Sequence, residues 1–150
     1  MTGVQTCALP IYLAGTAYFE ARDTPFAYGT HVCEVELDRA TGAAKILRYV
    51  VVHDCGTVIN PLILAGQIHG GVAQGIGNAF YEQLVFDEDG QLLNASLADY
   101  LLPTSLEVPH IETAHTVTPS PLNPLGIKGA GEAGAIPVGP LFAQASASAA

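Results

Sequence analysis

From His31 to Leu37 the chain alternates: His31, Cys33, Val35 and Leu37 share one side, and Val32, Glu34 and Glu36 share the other. A period of two is what a strand with one face toward a core requires. The polar run Asp38-Arg39-Ala40-Thr41-Gly42 comes next, with glycine where a tight reversal calls for positive φ. Ala44 to His53 is then rich in β-branched residues (Ile46, Val50, Val51, Val52), which suit a pleated, half-buried surface. Together these segments predict a β-hairpin. Asp54-Cys55-Gly56 ends the second strand, and Asn60-Pro61 opens a new element with a new period. Leu64, Ile68, Val72, Ile76, Phe80 and Leu84 recur at every fourth position, which predicts a helix from about Leu62 to Leu84.

That helix contains Gly66, Gly70, Gly71, Gly75 and Gly77. An interior glycine costs about 1 kcal/mol relative to alanine, so the set needs a reason. Tight helix packing is one; the close approach of another backbone or a ligand is the other. Farther along, Asp87-Glu88-Asp89-Gly90 predicts a second hairpin-type turn between Leu84-Val85-Phe86 and Leu92-Leu93. Pro103 and Pro109 bound a loop, and Ile111 to Val117 reads as a short strand. Pro119 to Lys128 is an irregular approach stiffened by three prolines, and it leads into the glycine-rich run Gly129 to Gly134 and a helix of small residues. Strands and helices mix without a regular βαβ rhythm, which predicts an α+β fold.

The chain of 150 residues is long enough for one domain with a core. Only 13% of its residues are charged, where about a quarter is usual. Part of its surface is therefore expected to lie against another part of the same polypeptide, a partner subunit or a large cofactor. A net charge of −9 with only Arg22, Arg39, Lys45, Arg48 and Lys128 on the positive side leaves no basic patch, which argues against nucleic acid. No apolar run has the length of a membrane span. Three cysteines, Cys7, Cys33 and Cys55, form no paired framework. That fits a reducing compartment, so a cytoplasmic location is expected and a periplasmic one stays open. Met1 to Ile11 has no clear period and does not lead into the alternating pattern beyond it; it is expected to be a non-native leader.

Three groups of residues carry candidate chemistry. Gly129-x-Gly131-x-x-Gly134 matches the spacing of a dinucleotide-binding fingerprint, which gives an NAD-binding dehydrogenase fragment as one alternative. A proline-rich loop stands where that motif needs a strand, and Glu132 would oppose the pyrophosphate. Glu132 itself, set among glycines and alanines, reads as a poorly hydrated carboxylate whose pKa is raised toward that of a general base; an exposed loop glutamate is the other reading. His31, Cys33, His53 and Cys55 could form a zinc-binding interaction module, or they could simply pack in the core. His69, His110 and His115 show no partner spacing, and there is no Ser/His/Asp elbow or Walker loop.

Val52-His53-Asp54-Cys55-Gly56, Ile59-Asn60-Pro61 and the segment Gly66 to Gly77 (GQIHGGVAQGIG) resemble the xanthine dehydrogenase/aldehyde oxidase family of molybdenum hydroxylases. Asp99-Tyr100-Leu101-Leu102-Pro103-Thr104 and Pro121 to Gly134 (PLNPLGIKGAGEAG) resemble it too, most of all large subunits of the aerobic carbon monoxide dehydrogenase type. The likeness covers about Tyr12 to Ala150, with order and spacing preserved. It implies that residues 12–150 form the C-terminal part of the molybdopterin-binding domain, α+β and incomplete at both ends. The cofactor implied is molybdenum held by the dithiolene of a molybdopterin, expected as the cytosine dinucleotide, with no protein metal ligand. Glu132 matches the catalytic base that takes a proton from the Mo–OH group, after which the oxygen attacks an electron-poor carbon and hydride passes to a sulfido ligand. Gln67 matches a residue hydrogen-bonded to the pterin, and Lys128 one at the edge of the same pocket. Gly129, Ala130 and Gly131 would bring backbone N–H groups to the pterin, with cofactor phosphate favoured at a glycine-rich helix start. The implied partners are the missing N-terminal part of the same subunit, and subunits carrying iron–sulfur clusters and FAD. The substrate would be an aldehyde, a purine or other N-heterocycle, or carbon monoxide. A chain lacking those parts is expected to be inactive alone.

Overall fold

The alternating segment becomes strand β1 (Tyr28–Leu37), with His31, Cys33, Val35 and Leu37 on the more buried side. The polar run turns the chain back into β2 (Ala44–Asp54). Gly42 has φ 75°. Its N–H donates to the Asp38 carbonyl at 2.7 Å, while the Asp38 carboxylate accepts from the Ala40 N–H and the Thr41 hydroxyl, each at 2.8 Å. The two strands pair antiparallel, Tyr28 opposite Asp54 through Leu37 opposite Ala44. This computed structural model describes residues 15–20 and 23–149; the expected leader at 1–11, Cys7 and Arg22 lie outside them.

Helix α1 (Pro61–Phe80) starts as expected, with the Asn60 side chain accepting from the Ile63 N–H and Pro61 in the first turn, where its missing N–H costs nothing. It ends four residues before Leu84. Steps of four residues advance about 40° past a full turn each time. Leu64, Ile68, Val72 and Ile76 stay on the buried face, whereas Phe80 and Leu84 drift off it and are exposed. The chain breaks away at Tyr81, whose N–H and that of Glu82 both bond to the Gly77 carbonyl. The second hairpin turn forms around Gly90 (φ 80°), although its arms meet in a single bridge, Phe86 with Leu92.

Strand β3 (Ile111–His115) adds to β2 in parallel, so the sheet order is β1-β2-β3 and α1 lies in the crossover between β2 and β3. The strand stops short of Val117 because the next residues turn their hydroxyls toward Asp54. Helix α2 (Val138–Ala149) completes the mixed α+β arrangement. The core lies between one sheet face and the two helices: Tyr49 and Val51 from β2, Ile68, Val72 and Ile76 from α1, Val138 and Phe142 from α2. Much apolar surface is left uncovered, including Leu62 at 83%, Leu106 at 91% and Ile136 at 71% exposure, as the low charge content led one to expect.

Candidate active site

The proline-stiffened approach is fastened to the end of β2. Gly56 bridges Ile127, the Lys128 N–H donates to the Cys55 carbonyl at 2.7 Å, and the Thr57 N–H donates to the Gly126 carbonyl at 3.0 Å. Gly56 and Gly126 both have positive φ, at 71° and 67°, and a side chain on Gly56 would collide with the Gly126 carbonyl. The chain thus leaves the sheet at Lys128 in a defined direction, and residues 129–133 cross in front of α1.

At its far end this loop is wedged against the helix. A Cβ on Gly71 would lie 2.8 Å from the Gly134 Cα and 3.0 Å from the Ala135 nitrogen. A Cβ on Gly134 would reach the Ile68 carbonyl and stand 2.9 Å from the Val72 nitrogen. Backbone meets backbone here, which only glycine permits. Gly75 instead receives the Val138 side chain of α2, and Gly77 makes room for the side chains of Glu82 and Pro103. Gly66 and Gly70 have no neighbour within 4 Å. Both reasons for the helix glycines therefore apply, to different residues.

The open glycines border the first of three neighbouring clefts that share lining residues. The first, about 350 Å³, has Gly66, Gln67, Gly70 and Gln74 on the helix side and Gly131 and Glu132 on the loop side. Gln67 continues into a second cleft of about 330 Å³, at the start of α1, with Asn60, Ile63, Lys128 and Ala130. Gly129, Ala130, Gly131 and Glu132 also border a third, of about 360 Å³, on the other side of the loop. Glu132 is exposed at the junction. Poor hydration was expected for it; this chain supplies no such cover, because the small residues around it bring no apolar bulk. Its backbone is fixed by the Ala135 N–H, which donates to the Glu132 carbonyl at 3.0 Å. Among the described residues nothing bonds to its carboxylate, to the Gln67 amide, or to the N–H groups of Gly129, Ala130 and Gly131.

Lys128 behaves differently. It borders the second cleft, but its ammonium turns inward, 3.2 Å from the Asp54 carboxylate and 4.9 Å from the centre of the Tyr28 ring. The two side chains are 9% and 0% exposed. Asp54 also accepts from Tyr28 at 3.2 Å, from Thr116 at 3.2 Å, from Thr118 and from the Gly56 N–H at 2.9 Å. Burial pushes the Asp54 carboxyl upward, but Thr118, the Gly56 N–H and Lys128 outweigh it and hold it well below the usual carboxylate range.

Residues 5–109 match the sequence model of the molybdopterin cofactor-binding domain. The chain belongs to that family. This molybdopterin-binding chain is 47% identical over 128 residues to the carbon monoxide dehydrogenase large chain of Hydrogenophaga pseudoflava, covering 83% of itself and 16% of that protein. Its fold superposes on a crystal structure of Cu,Mo-CO dehydrogenase with a TM-score of 0.80 at 40% identity, covering 84% of this chain and 16% of that one. Quinoline 2-oxidoreductase from Pseudomonas putida 86 gives 0.74 at 47% identity, covering 77% and 15%. The chain thus spans about 16% of the length of these curated relatives.

Neither alternative finds support in the family match or in the geometry. His31 faces Val51 and His53 faces Gly29, so the two His-x-Cys pairs are offset along the hairpin, and Cys55 lies beyond its end. Both nitrogens of His31 are engaged by Tyr49 and Ala133. Among the described residues no three His, Cys, Asp or Glu side chains gather as a metal site. The Gly129 to Gly134 run has no strand before it beyond the one bridge at Ile127, and α2 begins only at Val138. It is neither a nucleotide-binding turn nor a helix start, so the phosphate expected at such a start has no helix there. The partners that sequence reasoning missed are Asp54, Tyr28, Thr116 and Thr118. Asp54 stood in the sequence as a strand-ending residue within one of the family-like segments, with no partner indicated; that the threonines reach it depends on β3 lying parallel to β2.

Proposed function

We propose that this molybdopterin-binding chain forms one wall of the active site of a molybdenum-dependent oxidoreductase, with Glu132 as its general base. The observation that carries the reading is the first cleft, where Gln67 on α1 and Glu132 on the loop border one space beside helix glycines without neighbours. The residues present fit a pterin. Gly66, Gly70, Gly129 and Gly131 offer bare backbone where any Cβ would meet only open space. Gln67 supplies an amide that both donates and accepts. The N–H groups of Gly129, Ala130 and Gly131 are free to donate to the pterin or its phosphate. When bound, the molybdenum cofactor supplies two-electron oxidation with oxygen derived from water.

The chain's own residues have distinct tasks. Glu132 accepts a proton at its carboxylate, and cofactor and the rest of the subunit, seated over the groove, would shield that carboxylate from bulk water. Lys128 anchors the loop through Asp54 rather than carrying charge to the groove. The cofactor is read as the cytosine dinucleotide form, and electrons leave through iron–sulfur and FAD subunits. The substrate is an aldehyde, an N-heterocycle or carbon monoxide. The location is read as cytoplasmic or periplasmic from the unpaired cysteine count. No described helix is long and apolar enough to cross a membrane. Residues 12–150 are read as part of the cofactor-binding domain. In the full-length enzyme, Glu132→Gln should keep molybdenum and pterin content while turnover falls by about 10²–10⁴. Normal turnover in that variant refutes the base.

A further inference from the structure

Both ring nitrogens of His31 are engaged on the face that β1 turns toward the loop. Nδ1 lies 2.9 Å from the Tyr49 hydroxyl and Nε2 lies 3.1 Å from the Ala133 carbonyl. A carbonyl only accepts, so Nε2 carries the hydrogen; in a neutral ring Nδ1 then accepts from Tyr49. Burial lowers the His31 pKa against the opposing pull of the Ala133 carbonyl, which favours the neutral ring. Burial likewise raises the Tyr49 phenol, so it keeps its proton. Tyr49 is fully buried, its ring edge-on to His31 and tilted against Phe142. A directed chain of hydrogen bonds therefore starts in the core and ends one residue past Glu132.

The next residue, Gly134, is the one wedged against Ile68 and Val72. The turn that presents Glu132 is thus gripped by van der Waals contact on the helix side and by one hydrogen bond on the sheet side. We propose that His31 is a positioning residue, which fixes the Ala133 carbonyl and thereby the direction in which Glu132 enters the groove. Its kinetic consequence rests on the reading of Glu132 as the base; the fixing of the turn does not.

The test uses the full-length, cofactor-loaded enzyme with His31→Leu, His31→Gln and the double change His31→Leu/Tyr49→Phe. Glutamine can still donate to Ala133 and accept from Tyr49; the double change removes the hydroxyl that leucine alone would strand. The readouts are molybdenum and pterin content, kcat and KM, and hydrogen exchange at the Ala135 and Ile136 amides, which bond to the Glu132 carbonyl. His31→Leu should keep the cofactor, exchange those amides about tenfold faster, and lower kcat by about 10–100-fold with little change in KM. His31→Gln should restore most of both. Unchanged exchange in the leucine and double variants overturns the proposal, as does a glutamine variant no better than leucine. Faster exchange with unchanged kcat, together with an active Glu132→Gln enzyme, upholds the positioning and removes the base.

Discussion

Replacing Gly134 with alanine tests the contact between the loop and α1. The added methyl would point at the backbone of α1, onto the Ile68 carbonyl, with the Val72 nitrogen at 2.9 Å and the Gly71 Cα at 3.0 Å. Ordinary contact between such atoms needs about 3.5–4.0 Å, so loop and helix must part by about 1 Å. No rotamer change relieves this, because every atom in the way belongs to the backbone. Overpacking of this kind costs about 1–3 kcal/mol. Gly134 lies two residues from Glu132, so a shift of that size reaches the carboxylate, and misplacing a catalytic group by about 1 Å costs on the order of 100-fold in rate. The full-length Gly134→Ala enzyme should melt a few degrees lower, keep much of its molybdenum and lose turnover by about that factor. Thermal unfolding, metal analysis and steady-state kinetics on one preparation read all three. A variant with normal melting and normal turnover would show that helix and loop do not touch as described.

Gly70 makes the opposite case, since a Cβ there meets nothing within 4 Å. Gly70→Ala should stabilise the full-length protein by about 0.5–1 kcal/mol in thermal unfolding. Gly70→Leu should still fold but lose pterin and molybdenum, because its side chain would fill the cleft beside Gln67; full cofactor content in the leucine variant contradicts the proposed cradle. Acidification should also weaken the fold. Burial is the first cause that lowers the pKa of both His31 and His53 below the ordinary 6.5, so the unfolded chain binds those protons more readily. Their contribution is complete above 6.5 and is lost as pH falls through the lowered values. The melting temperature of the full-length protein should therefore drop as pH falls below about 6.5, with a shallower slope in His31→Gln; a rise on acidification would contradict this.

The elements were legible because their hydrophobic periods are clean. The alternation from His31 to Leu37 and the β-branched run after Gly42 specify the hairpin, and the Asn60-Pro61 pair specifies where α1 starts. Where α1 ends was not legible, since Phe80 and Leu84 continue a spacing that no longer points at the core. The glycines showed that something must come close, but composition cannot tell Gly71, which meets Gly134, from Gly70, which faces open space. His31 looked like a metal candidate; only the folded position of the loop before α2 shows that it reaches Ala133 instead. The hydration of Glu132 stayed open between two readings for a related reason: small neighbours leave room around a carboxylate, and in these residues that room faces solvent. Lys128 was placed at the pocket edge by likeness, and it does border the second cleft; that its ammonium meets the buried Asp54 is visible only once the segment at Ile127 and Lys128 lies against Cys55 and Gly56.

Whether Glu132 stands beside a bound molybdenum cofactor is tested most directly by anomalous diffraction at the molybdenum edge, on crystals of the full-length enzyme. A single molybdenum peak is predicted over the cleft shared by Gln67 and Glu132, with the Glu132 carboxylate turned toward the metal and the Gln67 amide in hydrogen-bond reach of the pterin. A molybdenum peak elsewhere, with Glu132 still facing solvent, would contradict that placement and the role of Glu132 with it.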